Sequence, residues 1–477
     1  MSDLLSKSIS QLRSLLDDKQ ITASELTKLT LESAKKLNPI TNSYISITSD
    51  LALSQAKKAD KLISEKKSKP LTGIPFSLKD AYITQDILTT SASSVLGDYQ
   101  PQYNSTVYQK LLDQHAILIG KNNQDAWGHG GLSENTDYKS VKNPYNIKHS
   151  AGGSSGGTAA ALASFTTTFA IGEDTGGSIR NPSSFCNVSG LKVTYGRVSR
   201  YGAIAYASSL DSVGPMARSV EDLAIILKTI AGFDPLDASS SQESVSDYTK
   251  TLNQKINQKT IGIIKQNMHD SLDPDVKSTM DQVISKYQKL GANIVELDLP
   301  TLKYGVAIYY ILALSETSSN LARYDGVRFG STRDKFTPET KRRIMTGTFA
   351  LSSGYYDAYY KKALQARTKL IQEFTSAFNQ VDCLLSPVIP HPAPKLRQYQ
   401  DKPEDPLSEY LADQFTCPIN TVGVPSLAIP GGFSEAGLPI GFQLIGPMFS
   451  ESTLLNIGHQ FQQATSWHTK KPKLKSK

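Results

Sequence analysis

Cysteine is scarce in this 477-residue chain: Cys186, Cys383 and Cys417 lie far apart, and no CxxC pair occurs. Three scattered thiols encode neither a disulfide framework nor a zinc knuckle, and they fit a reducing cytoplasm. No run of about 18 apolar residues is present, and the N-terminal MSDLLSKSISQLRSLLDD carries charge in every turn, so neither membrane spanning nor export is expected. Long blocks of one charge are missing too. The 51 basic and 44 acidic residues give a net charge of +7 and are interspersed, apart from TKKPKLKSK at Thr469 to Lys477. That tail reads as a frayed, solvated end; a basic balance of this size permits an RNA-bearing partner without demanding one. Histidine is rare as well, and of the seven only His129, in AWGHGGLSEN, sits among glycines.

What is present describes a large globular protein. Hydrophobic residues make up 39% and charged residues 20%, and the length exceeds the roughly 250 to 300 residues at which one core stops growing. Thr22 and Glu25 form a capping-box pattern, followed by Leu26, Leu29 and Leu37 at helical spacing up to an expected break at Asn38-Pro39, so residues 1–60 read as a helical lead-in. Across 71–230, apolar runs such as HAILIG and TFAIG alternate with helical stretches, the pattern of a mostly parallel sheet. Residues 231–258 are polar and read as a surface loop. TIGIIK at Thr260 resumes the strands, a mostly helical stretch follows, and CLLSPVIP, SLAIPGGF and GFQLIGP bring strands back before a basic tail over 467–477. Without internal repeats, and with 259–466 holding the remainder of the sheet and a helical insertion flanked by strands, the chain reads as one α/β domain, 1–477, built on a single sheet.

The chemistry centres on two glycine-serine stretches. AGGSSGGTAAALAS, Ala151 to Ser164, lacks the lysine and hydroxyl that a phosphate-binding P-loop needs, since Thr158 and Ala159 follow Gly157, and no GxGxxG precedes a helix here. A tight turn feeding an alanine-rich helix is its plainer reading. GEDTGGSIRNPSS, Gly172 to Ser184, adds a second serine after a glycine pair, where Gly176 and Gly177 let backbone N–H groups converge on an oxyanion beside Ser178. A serine hydroxyl needs a base. His129 has no identifiable orienting acid; Lys79, in GIPFSLKD, would point to the face opposite Leu78, and burial would favour its neutral amine. Taken alone, such a lysine is equally a buried structural ion pair.

Together, Lys79, Ser154 in GGSSGGTAAALA and Ser178 in DTGGSIRNP resemble, in order and spacing, the Ser-Ser-Lys triad of the amidase signature family. The resemblance implies a single large mixed β-sheet covered by helices on both faces. It implies Ser178 as nucleophile, Ser154 as proton relay on a cis peptide bond, Lys79 as base, and backbone N–H groups of Thr175, Gly176 and Gly177 through Ser178 as the oxyanion hole. Beyond the triad, the stretches beginning at Gly190, Tyr309 and Lys341 resemble the glutaminase subunits of tRNA-dependent amidotransferases. That likeness implies hydrolysis of glutamine and delivery of ammonia to a B subunit. The B subunit uses ATP and magnesium to convert Glu-tRNA(Gln), or Asp-tRNA(Asn), while a C subunit clasps both; no cofactor or metal is implied on this chain. Matching positions assign Arg343, or its neighbour Arg342, to the glutamine carboxylate, Asp413 to its ammonium and Tyr309 to a pocket wall, although a surface ion pair would also account for each charged residue. His129 and Leu132 depart from the family's usual methionine and small or hydroxylic residue, and Leu132 would disturb the glutamine contact if it lined the pocket. A stand-alone amidase for small amides and a noncatalytic scaffold are the competing readings; the intact triad argues against the scaffold, and the Arg343 and Asp413 pair against the plain amidase.

Overall fold

The computed structural model describes residues 4–398 and 408–474. Helices Ile9–Asp17 and Ala23–Thr41 open it. Thr22 caps the second as expected: its hydroxyl accepts from the Glu25 N–H at 3.0 Å, and the Glu25 carboxylate accepts from the Thr22 N–H at 2.8 Å, worth about 1 kcal/mol. The expected break at Asn38-Pro39 does not occur. Pro39 sits in the last turn, where its missing N–H forfeits a single hydrogen bond, and the helix ends at Asn42, which is left-handed at φ 54°. The lead-in is not purely helical either, because Tyr44–Ile47 is a strand pairing with Ile117–Asn122.

Among the described residues, eleven strands form one sheet. In spatial order they are Tyr44–Ile47, Ile117–Asn122, Pro75–Lys79, Phe169–Asp174, Ser212–Ala217, Ser189–Lys192, Ser426–Phe433, Pro439–Ile445, Cys383–Pro387, Thr260–Ile264 and Asn293–Leu297. Strands that are contiguous in space thus come from both sides of the helical insertion. The sheet is mixed, as the family resemblance implied, but the mostly parallel pattern expected across 71–230 holds only for Pro75–Lys79 with its two neighbours. Ser189–Lys192 and Ser212–Ala217 are antiparallel to each other, and Ser212–Ala217 is antiparallel to Phe169–Asp174. Buried apolar runs of this kind do not encode direction.

Alternation along the strands supplies both faces. Phe76, Leu78, Phe169 and Ile171 enter the largest core cluster with residues of helices Ile9–Asp17, Val220–Ile230 and Glu451–Gln463. Ala170 and Met216 join Ala159, Ala160 and Ile179 in a separate cluster under helix Gly156–Ala163. A further core lies between helices Gly305–Asn320 and Tyr360–Phe378 and strand residue Leu384. Residues 231–258 are largely irregular, with one short turn at Tyr248–Thr251. The start of the basic tail is anchored rather than frayed: the Lys470 carbonyl accepts from the Tyr145 hydroxyl at 2.7 Å, and 475–477 lie outside the described residues. The three cysteines are buried and free. No described helix is long and apolar enough to cross a membrane.

Candidate active site

The site lies at the C-terminal ends of parallel strands Pro75–Lys79 and Phe169–Asp174, where α/β sheets commonly bind ligands. Phe76 and Leu78 face the large core, so alternation sends Lys79 to the other face, as the strand pattern predicted. Lys79 is fully buried, its Nζ 2.7 Å from Ser154 Oγ and 3.3 Å from Glu173 Oε2. The functional and plainer readings of this lysine therefore coincide, since it meets the serine and also forms a buried ion pair.

Ser154 follows a cis peptide bond from Gly153, as the resemblance implied. Its carbonyl accepts from the Asp125 N–H and the Ser133 hydroxyl, both at 3.2 Å. The Asp125 carboxylate in turn gathers the N–H groups of Ser133, Glu134 and Asn135 at 2.8, 3.0 and 3.1 Å. Helix Gly156–Ala163 then runs buried along its whole length. A Cβ on Gly157 would stand 2.3 Å from the Asn123 carbonyl oxygen, so glycine permits the close approach that seats the helix on the sheet. The Ser155 N–H donates to the Ser178 carbonyl at 3.1 Å, tying the two serine stretches together.

The turn bearing Ser178 is organised by Asp174, wholly buried against Arg180, which is likewise out of water. Asp174 accepts from the Gly177 N–H at 2.8 Å and the Ile179 N–H at 3.1 Å, and from Arg180 Nε and Nη2 at 3.1 Å each. Burial alone would raise its carboxyl; the Arg180 charge and the hydrogen bonds outweigh that and hold it at about 2. This corrects the expected oxyanion hole. The Gly177 N–H is committed to Asp174, leaving Thr175, Gly176 and Ser178 as the backbone donors of that turn. A Cβ on Gly176 would lie 2.4 Å from the Tyr309 ring, so glycine also lets the tyrosine close over the turn.

A narrow cavity opens on Ser178 and is lined by Gly176, Gly177, Tyr206, Tyr309, Tyr310, Arg343 and Asp413. Helices Gly305–Asn320 and Pro338–Leu351 deliver Tyr309 and Arg343. Arg343 is 4% exposed; its Nη1 donates to the Tyr206 hydroxyl and its Nε to Glu339, both at 2.6 Å, and the guanidinium stacks over the Tyr206 ring. Arg342, the alternative, faces away. Its side chain is 46% exposed, pairs with Glu339 and lines a separate groove with Phe349 and Tyr359. Helical geometry separates adjacent residues by about 100°, so only one of the two arginines can reach the cavity. Asp413 accepts from the Tyr310 hydroxyl at 2.8 Å.

Two residues that depart from the family pattern prove peripheral. The His129 ring nitrogens lie 3.2 Å from Thr340 Oγ1 and 3.4 Å from Thr317 Oγ1, and the ring stands edge-on to Tyr206. Burial, then the charges of Arg343 and Arg342, push its pKa well below the usual value, so the imidazole is neutral and a Ser-His-Asp arrangement through it is not formed. Leu132 packs with Phe185, Val388 and Ile389 instead of lining the cavity. Sequence reasoning missed Tyr206, between Gly202 and Asp211, and Tyr310, next to Tyr309, because nothing local distinguishes a tyrosine that walls a cavity from one that fills a core. It also missed Glu173, which stood in plain view one residue before Asp174.

The amidase family profile matches residues 25–455, and the chain belongs to the amidase signature family. The A subunit of glutamyl-tRNA(Gln) amidotransferase from Geobacter sp. strain M21 is 46% identical, the alignment covering 99% of this chain and 100% of that protein. The crystal structure of the A subunit of glutamyl-tRNA(Gln) amidotransferase from Thermotoga maritima superposes with a TM-score of 0.83 at 31% identity, covering 99% of this chain and 98% of that one. Native peptide amidase from Stenotrophomonas maltophilia matches at a TM-score of 0.80 and 27% identity, covering 96% and 97%. The fold and the kinship expected from the triad and the stretches beyond it are borne out.

Proposed function

We propose that this chain is the glutaminase subunit of a tRNA-dependent amidotransferase. The observation that carries this reading is the cavity itself. Beside Ser178 stand one buried cation, Arg343, and one carboxylate, Asp413, matching the α-carboxylate and α-ammonium of glutamine; a plain amide has no use for either. Full-length similarity to the A subunits of glutamyl-tRNA(Gln) amidotransferases supports the same conclusion.

In this mechanism Lys79, as the neutral amine, takes a proton from Ser154, which takes one from Ser178. The Ser178 oxygen attacks the side-chain amide carbon, and the developing oxyanion is met by backbone N–H groups of the Thr175 to Ser178 turn, excluding Gly177. Each such donor is typically worth about 3 to 4 kcal/mol. The carbon–nitrogen bond breaks as the proton returns from Lys79 through Ser154 to the nitrogen, releasing ammonia and leaving a glutamyl ester on Ser178. Water, deprotonated by the same relay, cleaves that ester to glutamate and restores the serine. Ammonia would then pass to a B subunit, which would supply activation of the misacylated tRNA's carboxylate with ATP and magnesium, with a C subunit holding the pair; the residues assigned on this chain serve glutamine alone.

The test is ammonia release from glutamine by the purified chain, alone and with B and C subunits, ATP and glutamyl-tRNA(Gln). Strong stimulation accompanied by Gln-tRNA formation is expected. Brisk, unstimulated hydrolysis of simple amides would instead establish a stand-alone amidase.

A further inference from the structure

We propose that Glu173 is a positioning residue for Lys79, supplying the buried counter-charge that gives the amine enough proton affinity to draw a proton through Ser154. The inference rests on the triad reading above and concerns a residue that lies outside the cavity lining.

The geometry is specific. Glu173 Oε2 is 3.3 Å from Lys79 Nζ, on the same nitrogen that stands 2.7 Å from Ser154 Oγ. Both side chains are buried, and Glu173 Oε1 has no hydrogen-bond partner among the described residues. The carboxylate thus has Lys79 as its one polar side-chain contact among them, an arrangement that costs desolvation without the usual set of supporting donors. The charged and titratable groups facing Glu173 are Lys79, Asp174, Arg200, Tyr82 and Asp211. Asp174 is neutralised by Arg180. Asp211, pushed up to about 8 by burial and then by the Glu173 charge, accepts from the Thr175 hydroxyl and the Tyr206 and Ala207 N–H groups. Burial also lifts the Glu173 carboxyl above its ordinary range, with the charge and hydrogen bond of Lys79 opposing.

When Ser154 gives up its proton, Lys79 becomes an ammonium held in the buried interior. A carboxylate 3.3 Å from the nitrogen favours that transfer. Loss of that charge should therefore be read in the acid limb of the pH profile.

The experiment compares kcat and kcat/KM for glutamine across pH for wild type, Glu173→Gln and Glu173→Asp, with ammonia release measured in the complex with B and C subunits. Glu173→Gln should lower kcat by about tenfold or more and move the acid limb about one pH unit or more toward acid, with KM little changed. Glu173→Asp keeps the charge and should return the limb toward wild type, which a merely structural role would not do. An unshifted limb in Glu173→Gln, or activity lost in both variants with the limb in place, would overturn the proposal. Activity retained in a parallel Ser178→Ala sample would overturn the triad reading instead, so the two failures are told apart.

Discussion

Replacing Arg180 by methionine removes the cation on which the Ser178 turn depends. Its guanidinium, without solvent contact, donates to both Asp174 oxygens, to Gln443 Oε1, to the Thr416 carbonyl and to Asn420 Oδ1. Arg180→Met therefore strands a buried carboxylate, for which the expected loss is about 3 to 5 kcal/mol. In the double variant Arg180→Met/Asp174→Asn the stranded charge is gone, and about 2 kcal/mol or more of that loss should return. Urea unfolding followed by far-UV circular dichroism measures both, and glutaminase assays at a temperature where the variants stay folded should show activity lost with the turn. The acid side gives an independent reading. Asp174 sits at about 2 in the folded protein against about 3.9 unfolded, so its contribution, about 2 to 3 kcal/mol, is fully present above pH ~4 and is lost as pH falls toward 2. That acid-dependent part should vanish in Asp174→Asn. A cost below about 1 kcal/mol for Arg180→Met, or strict additivity in the double variant, would refute the claim that this ion pair holds the turn.

Ser178→Ala should abolish glutamine hydrolysis while leaving the circular dichroism spectrum intact, and Lys79→Arg should also inactivate, because a guanidinium stays protonated and cannot serve as base; ammonia release reads both. Arg343→Ala should raise KM for glutamine by about tenfold or more, whereas Arg342→Ala, altering an exposed pair, should shift it by less than about threefold; equal effects would remove the assignment of Arg343. Leu132→Ala should cost about 2 to 5 kcal/mol of stability through a cavity beside Phe185 and Ile389, with KM unchanged; steady-state kinetics alongside denaturation separates the two effects.

Features carried by short stretches of chain are legible without coordinates. The Thr22 capping box needs only a few neighbouring residues, the aim of Lys79 needs only strand alternation, and the two glycine-serine turns announce backbone that must pass close to something. Ser154 and Ser178 lie close together in the chain, so the local pattern already holds most of the triad. Strand direction escapes, because Ser189–Lys192 and Ser212–Ala217 are as buried as their parallel neighbours and a buried face looks the same in either sense. Pro39 misleads for a positional reason: in a last turn it forfeits one hydrogen bond and does not stop the helix.

Composition and local pattern by themselves determined an α/β chain, the two glycine-serine turns and the need for a base beside Ser178, while the mixed sheet and the relay through Ser154 came with the family resemblance. Tertiary structure alone decided what surrounds them. Arg343 rather than Arg342 faces Ser178 because helix Pro338–Leu351 packs in one rotation against Gly305–Asn320. Glu173 meets Lys79, 94 residues away in the chain, because their two strands run parallel in register. The Gly177 N–H turns to Asp174 because Arg180 fixes that carboxylate beneath it. Each of these is a choice among chemically equivalent neighbours, and such choices are made by long-range packing and the cost of leaving charge unpaired in a dry interior.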